Sequence, residues 1–209
     1  AAEEFLSPSD GATMKHMVQQ ITDIAFRFQN LNQDFFRSIN QFLSEQREGL
    51  PVTAYAHQER ILPSTRLQPA WDEVEIAWEK ASLALKPLNE MLSQLILSLA
   101  EIQDALAEEN EELFGSLKNL YRQLDDYAGQ MNAFVFEPAS DRIYWAEVQV
   151  DRYQLSLHAA PLHIGEMMQH YLWNEKTSVV LTSATLTAAN EFGYLRGRLN
   201  AIEADELTV

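Results

Sequence analysis

Two long heptad patterns and one change of period predict a mainly α fold with a small α/β portion. Met14, Ile21, Phe28, Phe35 and Phe42 recur every seven residues, with Met17, Ile24 and Leu31 between them. Trp71, Val74, Trp78, Ala81, Leu85, Leu88, Leu92, Leu95, Leu99, Ile102 and Leu106 alternate steps of three and four without interruption. Such spacing gathers apolar side chains on one helix stripe, which must be buried against another helix. From Ala133 the pattern changes to alternate positions, the period of strands. The helical part is expected to be elongated, antiparallel and coiled-coil-like.

Each element follows from local signals. The first helix covers 11–46, with Ser9 or Asp10 placed to cap it and Gly49 and Pro51 to stop it. Five heptads make a rod of about 50 Å. Pro51, Pro63 and Pro69 punctuate 47–69, a long excursion in which Val52–Tyr55 and Arg60–Leu62 can be extended. The second helix covers 70–107. Pro69 suits its first turn, and Pro87 removes one backbone hydrogen bond inside it. The polar run Glu108–Glu112 breaks the seam, which resumes with Leu113, Leu117, Leu120, Leu124, Tyr127 and Met131. Phe134–Phe136, Ile143–Val148 and Tyr153–Leu157 read as strands, with Pro138–Asp141 as a turn. A helix at about 164–173, a strand at 178–182 and a helix at about 190–199 complete the chain. The expected division is 1–132, all helical, and 133–209, strand-containing.

Bulk properties narrow the function classes. The 209 residues carry 15 basic and 31 acidic side chains, a net charge of −16. Residues 1–133 hold 10 basic and 21 acidic residues, net −11, and 134–209 hold 5 and 10, net −5. That field repels a phosphate backbone, so any DNA contact has to be local or depend on other polypeptide. There is no cysteine, which excludes disulfides and thiolate metal sites within the segment and fits a reducing, cytoplasmic setting. No apolar run approaches the roughly 18 residues of a membrane span. AAEEFLSPSD lacks the basic stretch of a signal peptide.

Candidate chemistry is sparse. His158, His163 and His170 lie close in sequence, and Glu166 stands four residues before His170, a spacing metal ligands use. The His-Glu-x-x-His pattern is absent, however, and surface or interface histidines are the expected outcome. Asp72/Glu73/Glu75, Glu108/Glu109 and Asp125/Asp126 read as solvated helix faces rather than converging acid–base pairs. No GxxxxGK[ST] loop occurs, so the segment does not bind ATP by the usual route unaided. Tyr144 and Trp145, with Arg142 and Arg152 nearby, offer rings on which unpaired bases could stack, the alternative being core aromatics. Arg196 and Arg198 can contact phosphate or a neighbouring lobe. Ser183, Ala184 and Thr185 stand at the C-terminal end of the expected strand, where open α/β sheets place working loops. They relay contacts between two lobes, or they form a plain strand-to-helix turn.

Ala160-Pro161-Leu162, the helix to Trp173, the run SVVLTSATLT at 178–187, then Phe192, Tyr194, Leu195, Arg198 and Leu199 together resemble the DinG/XPD-type DNA helicases of superfamily 2. The Ser-Ala-Thr-Leu form is similar to the bacterial DinG branch. The resemblance covers about fifty residues. It implies that 1–132 form a helical arch inserted into the first motor domain, and that 133–209 form the end of that incomplete domain. Ser183, Ala184 and Thr185 would be motif III, coupling hydrolysis to lobe closure. It further implies a larger parent that uses ATP and Mg and moves 5′-to-3′ on single-stranded or forked DNA. Some relatives instead act as nucleases. The iron–sulfur cluster that many members of the family carry would lie upstream of this segment. A competing expectation is a non-enzymatic coiled-coil interaction module, motivated by the Trp71–Leu106 seam. The segment is expected to be a monomer, or to dimerise artificially through an uncovered strand edge at 178–182.

Overall fold

The structure is a computed structural model describing residues 8–47, 57–101, 109–149, 154–183, 186–187 and 191–205. It is mainly α with a small sheet. Helix α1 (Pro8–Gln46) precedes β1 (His57–Arg60) and a short helix α2 (Pro63–Arg66). A 3-10 turn (Pro69–Trp71) leads into α3 (Asp72–Glu101), and α4 (Glu109–Val135) follows. Strands β2 (Arg142–Gln149) and β3 (Gln154–Pro161) complete a sheet of order β1-β2-β3. Helix α5 (Gly165–Met168) continues into a π-helical turn (Gln169–Trp173), and α6 (Gly193–Leu199) is the last helix.

The chain divides into two compact units. The first is Ala1–Ala139 with Tyr144–His158. Its core follows directly from the heptads. Phe42 packs edge-on against Trp71 at 5.1 Å and Phe35 against Trp78 at 5.2 Å, so α1 runs antiparallel to α3. Trp78 Nε1 donates to Asn132 Oδ1 at 2.7 Å, and Trp71 lies 6.4 Å from Phe134, so α4 is antiparallel to α3 as well. Phe35, Ile39, Trp71, Val74 and Trp78 are fully buried. Seam residues Ile102 and Leu106 lie outside the described residues, as do Val52–Tyr55.

The sheet packs on this core through one face. Tyr144 and Ala146 are buried, and Val148, Leu155 and Leu157 pack beside them. β1 pairs antiparallel with β2 in the register Gln58↔Glu147 and Arg60↔Trp145. Arg66 ties these layers together. Its Nε and Nη2 donate to the Phe134 carbonyl and its Nη1 to the Ile61 carbonyl, while the guanidinium lies 5.4 Å from the Tyr144 ring centre. Burial lowers its pKa, against an opposing influence of Tyr144.

The structure corrects two expected strands. Phe134–Phe136 do not form one: Phe134 and Val135 are the buried last residues of α4. A three-residue apolar run satisfies both periods, and here the i−4 hydrogen bond of Phe136 to Asn132 continues the helical pattern. Residues 178–182 form no strand and join no sheet, and Val180 is 85% exposed. A strand needs a neighbour to pair its backbone groups, and among the described residues no strand pairs with it.

The second unit is Ser140–Ile143 with Ala159–Val209. Its helices bury no described residue fully. It is held by polar and backbone contacts: Trp173 Nε1 donates to the Leu199 carbonyl at 2.7 Å, and Asn200 Nδ2 to Gln169 Oε1 at 3.1 Å. Asn200 ends α6 in the left-handed region at φ 54°, a helix stop that asparagine tolerates.

Candidate functional site

The first candidate is the segment leading to Ser183. Val179 is half-buried, while Val180, Leu181, Thr182 and Ser183 are exposed. Ala184 and Thr185 lie outside the described residues. This run has the composition of a strand buried on both faces, yet Val180 and Leu181 are exposed. The remainder of the second unit matches it: Met167, Tyr171, Tyr194 and Ile202 are each at least half exposed. Such apolar exposure in one small unit marks a surface built to be covered.

In the same unit, Arg198 and His163 meet at 2.9 Å, Nη1 to Nδ1. A guanidinium has only donors, so this contact uses His163 as acceptor and requires a neutral imidazole. Arg198 also lies 5.9 Å from the Tyr194 ring centre. Arg196 Nε donates to the Ala201 carbonyl at 3.3 Å, which engages it in the end of α6. Arg198 is therefore oriented toward a partially exposed aromatic-cationic surface, and Arg196 serves the local backbone. His170 packs edge-on against Tyr171. Among the described residues no three His, Asp or Glu converge to hold a metal ion.

The second candidate lies on the sheet face opposite the helical core. Strand alternation puts Trp145 and Glu147 there, with Gln58 and Arg60 beside them by register. Trp145 stacks on His158 with ring centres 4.8 Å apart and planes within 7°. Gln58 Nε2 donates to Glu147 at 2.8 Å. Hydrogen bonds from Gln58 and Gln149, with the nearby His158, hold the Glu147 carboxyl below the usual carboxylate range. Trp145 Nε1 and His158 Nε2 are buried without a hydrogen-bond partner among the described residues. Buried polar atoms are ordinarily paired, so this pair stands out.

Of the two aromatics expected to stack on bases, only Trp145 belongs to this face. Tyr144 is a core residue, 5% exposed, whose hydroxyl accepts from the Ala139 N–H at 3.1 Å. Neighbours in a strand point to opposite faces, so the two rings cannot act together. Arg152 lies outside the described residues. Sequence reasoning missed the stacking of His158 on Trp145. The alternation of Leu155 and Leu157 with Ser156 and His158 is the signal that would have placed that ring on the outer face.

The sequence has no phosphate loop, and Gly193 and Gly197 lie inside α6 with open space around them rather than in a loop cradling phosphate. No helix among the described residues is long and apolar enough to cross a membrane.

No family model matches the chain. Over 78 residues, 36% of its length, the sequence is 32% identical to the 3'-5' exonuclease DinG of Bacillus subtilis (strain 168). The match spans 8% of that protein, so the likeness concerns a small part of it. The comparison supports a partial relationship to DinG, at the level of one segment.

Proposed function

We propose that this chain is a segment of a larger DinG-related protein that couples ATP hydrolysis to movement along single-stranded DNA. The observation that carries the reading is the run SVVLTSAT: a buried-strand sequence ending in small hydroxylated residues, whose Val180 is 85% exposed here. In this reading neighbouring strands of the larger protein cover the run, and Ser183, Ala184 and Thr185 then sit at a sheet's C-terminal edge. ATP and Mg are held by polypeptide outside this segment. Residues 133–209 contribute the end of the first motor domain, and the helices before them the arch. The partial identity to DinG supports the same assignment.

The roles of single residues follow from their placement. Ser183 and Thr185 hydroxyls relay lobe closure through hydrogen bonds, supplying no covalent chemistry. Arg198, held by His163 and beside Tyr194, is the better candidate for a phosphate contact than Arg196. Trp145 offers a ring edge on the outer sheet face. The strand enters locally, because the acidic field disfavours broad contact with DNA.

A second reading has a specific observation in its favour: the matched relative is named a 3'-5' exonuclease. The larger protein would then degrade DNA, with its chemistry outside the described residues. One experiment separates the readings. The complete protein carrying Ser183→Ala with Thr185→Ala is compared with wild type on a forked, end-labelled substrate. The helicase reading expects ATP-dependent unwinding to fall by about tenfold or more, as for groups acting only in the coupled step. Unchanged unwinding contradicts the assigned role. Shortening of the labelled strand without unwinding supports the nuclease.

A further inference from the structure

Helix α3 carries a second apolar stripe that the core does not use. Ile76, Leu83 and Leu97 are spaced by seven and fourteen residues and are 42%, 67% and 63% exposed. Seven-residue spacing keeps them on one face, and Ile76 lies about 200° around the helix from Val74, which faces the core. The missing member of the series is Glu90, also exposed. The stripe therefore reads Ile, Leu, Glu, Leu.

A groove of about 660 Å³ between α3 and α4 runs alongside, lined in part by Leu83 and Glu90. It exists because Ser82, Ser93 and Ala128 are too small to fill the space between facing helices. Asp125 of α4 lines its far side, and Asn89 Oδ1 is buried there without a partner. Neither Glu90 nor Asp125 forms an ion pair among the described residues. Lys86 is the basic side chain lining the groove. Two carboxylates against one ammonium favour a cationic occupant.

We propose that this face docks a basic amphipathic helix of a partner protein. Its apolar residues, repeating every seven, would meet Ile76, Leu83 and Leu97, and arginine or lysine side chains would meet Glu90 and Asp125. Helix-in-groove recognition reads such regularly spaced anchors. A second copy of this chain is a poor occupant: residues 1–133 carry 10 basic and 21 acidic side chains, and self-pairing would bring acidic surfaces together. Single-stranded DNA is disfavoured for the same reason. The inference stands whether or not the chain works in a DNA motor.

The test is binding of a synthetic amphipathic helix of about three heptads, the length from Ile76 to Leu97. It carries leucines at seven-residue spacing, one arginine replacing the leucine that would face Glu90, and flanking arginines for Asp125. Fluorescence anisotropy with the 209-residue chain is expected to show saturable binding. Leu83→Glu, and separately Glu90→Lys with Asp125→Lys, should weaken it by about tenfold. Phe26→Glu, at a 66% exposed apolar position on α1, should leave it unchanged. All four substituted positions are exposed, and circular dichroism verifies folding. Equal binding of a scrambled peptide of the same composition overturns the proposal, as does no binding or an equal loss with Phe26→Glu. A dimer seen in sedimentation and broken by Leu83→Glu assigns the face to a second copy and also overturns it. Displacement of the peptide by a single-stranded oligonucleotide does so too.

Discussion

Trp78 is where the three long helices meet. It is fully buried, packs 5.2 Å from Phe35 and 5.9 Å from Tyr127, and donates its indole N–H to Asn132. Trp78→Ala leaves a large cavity and an unpaired carboxamide, and is expected to lower stability by about 3–5 kcal/mol in urea unfolding. Arg66 plays a different part, since its hydrogen bonds satisfy the Phe134 carbonyl at the end of α4 and the Ile61 carbonyl after β1. Arg66→Ala should cost about 2 kcal/mol by the same measurement, because buried carbonyls lose their donors. Tyr127 gives the helical unit an alkaline limit. Burial pushes its phenol up to about 12 from an ordinary 10.0. Below pH 10 the group is neutral in both states, and its favourable environment counts in full. Between 10 and 12 the unfolded chain ionises first, so stability falls as pH rises. Tyr127→Phe is expected to flatten that part of the pH profile in thermal melts.

At the scale of elements, the long helices were legible and the strands only partly so. Heptads from Met14 to Phe42 and from Trp71 to Leu99 recur over enough turns to exclude any other period. β2 and β3 were legible through alternation, Tyr144 and Ala146 facing the core and Trp145 and Glu147 facing away. Phe134–Phe136 was misread because three residues cannot separate a helix end from a strand. The stacked pair of Trp145 and His158 was hidden because pairing register is a tertiary property. The exposed stripe of Ile76, Leu83 and Leu97 was overshadowed by the stronger seam on the opposite side of the same helix. In the second unit, α5 and α6 approach closely at one point: a Cβ on Gly165 would lie 3.2 Å from the Asn200 Cβ. Gly165→Ala must push that contact apart, and should destabilise the unit by roughly 1 kcal/mol, read as faster amide exchange in α6.

At the scale of the whole molecule, the two units differ in how fully they satisfy themselves. The helical unit has a continuous core of aromatic and aliphatic side chains, closed by one face of a sheet. The second unit carries an apolar run, SVVLT, whose chemistry asks for neighbours on both sides and whose Val180 is 85% exposed. That contrast, with the partial likeness to DinG, is the basis for the proposal that the chain is a segment of a larger DNA-acting protein. The most direct test is Val180→Asp, made both in the 209-residue chain and in the complete protein. In the isolated chain the side chain is solvated, so urea unfolding should change by no more than about 0.5 kcal/mol. In the complete protein the same carboxylate would be buried in a sheet without a partner. DNA-stimulated ATP hydrolysis should then be lost along with thermal stability. A substitution equally silent in both would contradict the account, because the run would then be a surface segment and Ser183 and Thr185 would have no sheet edge from which to act.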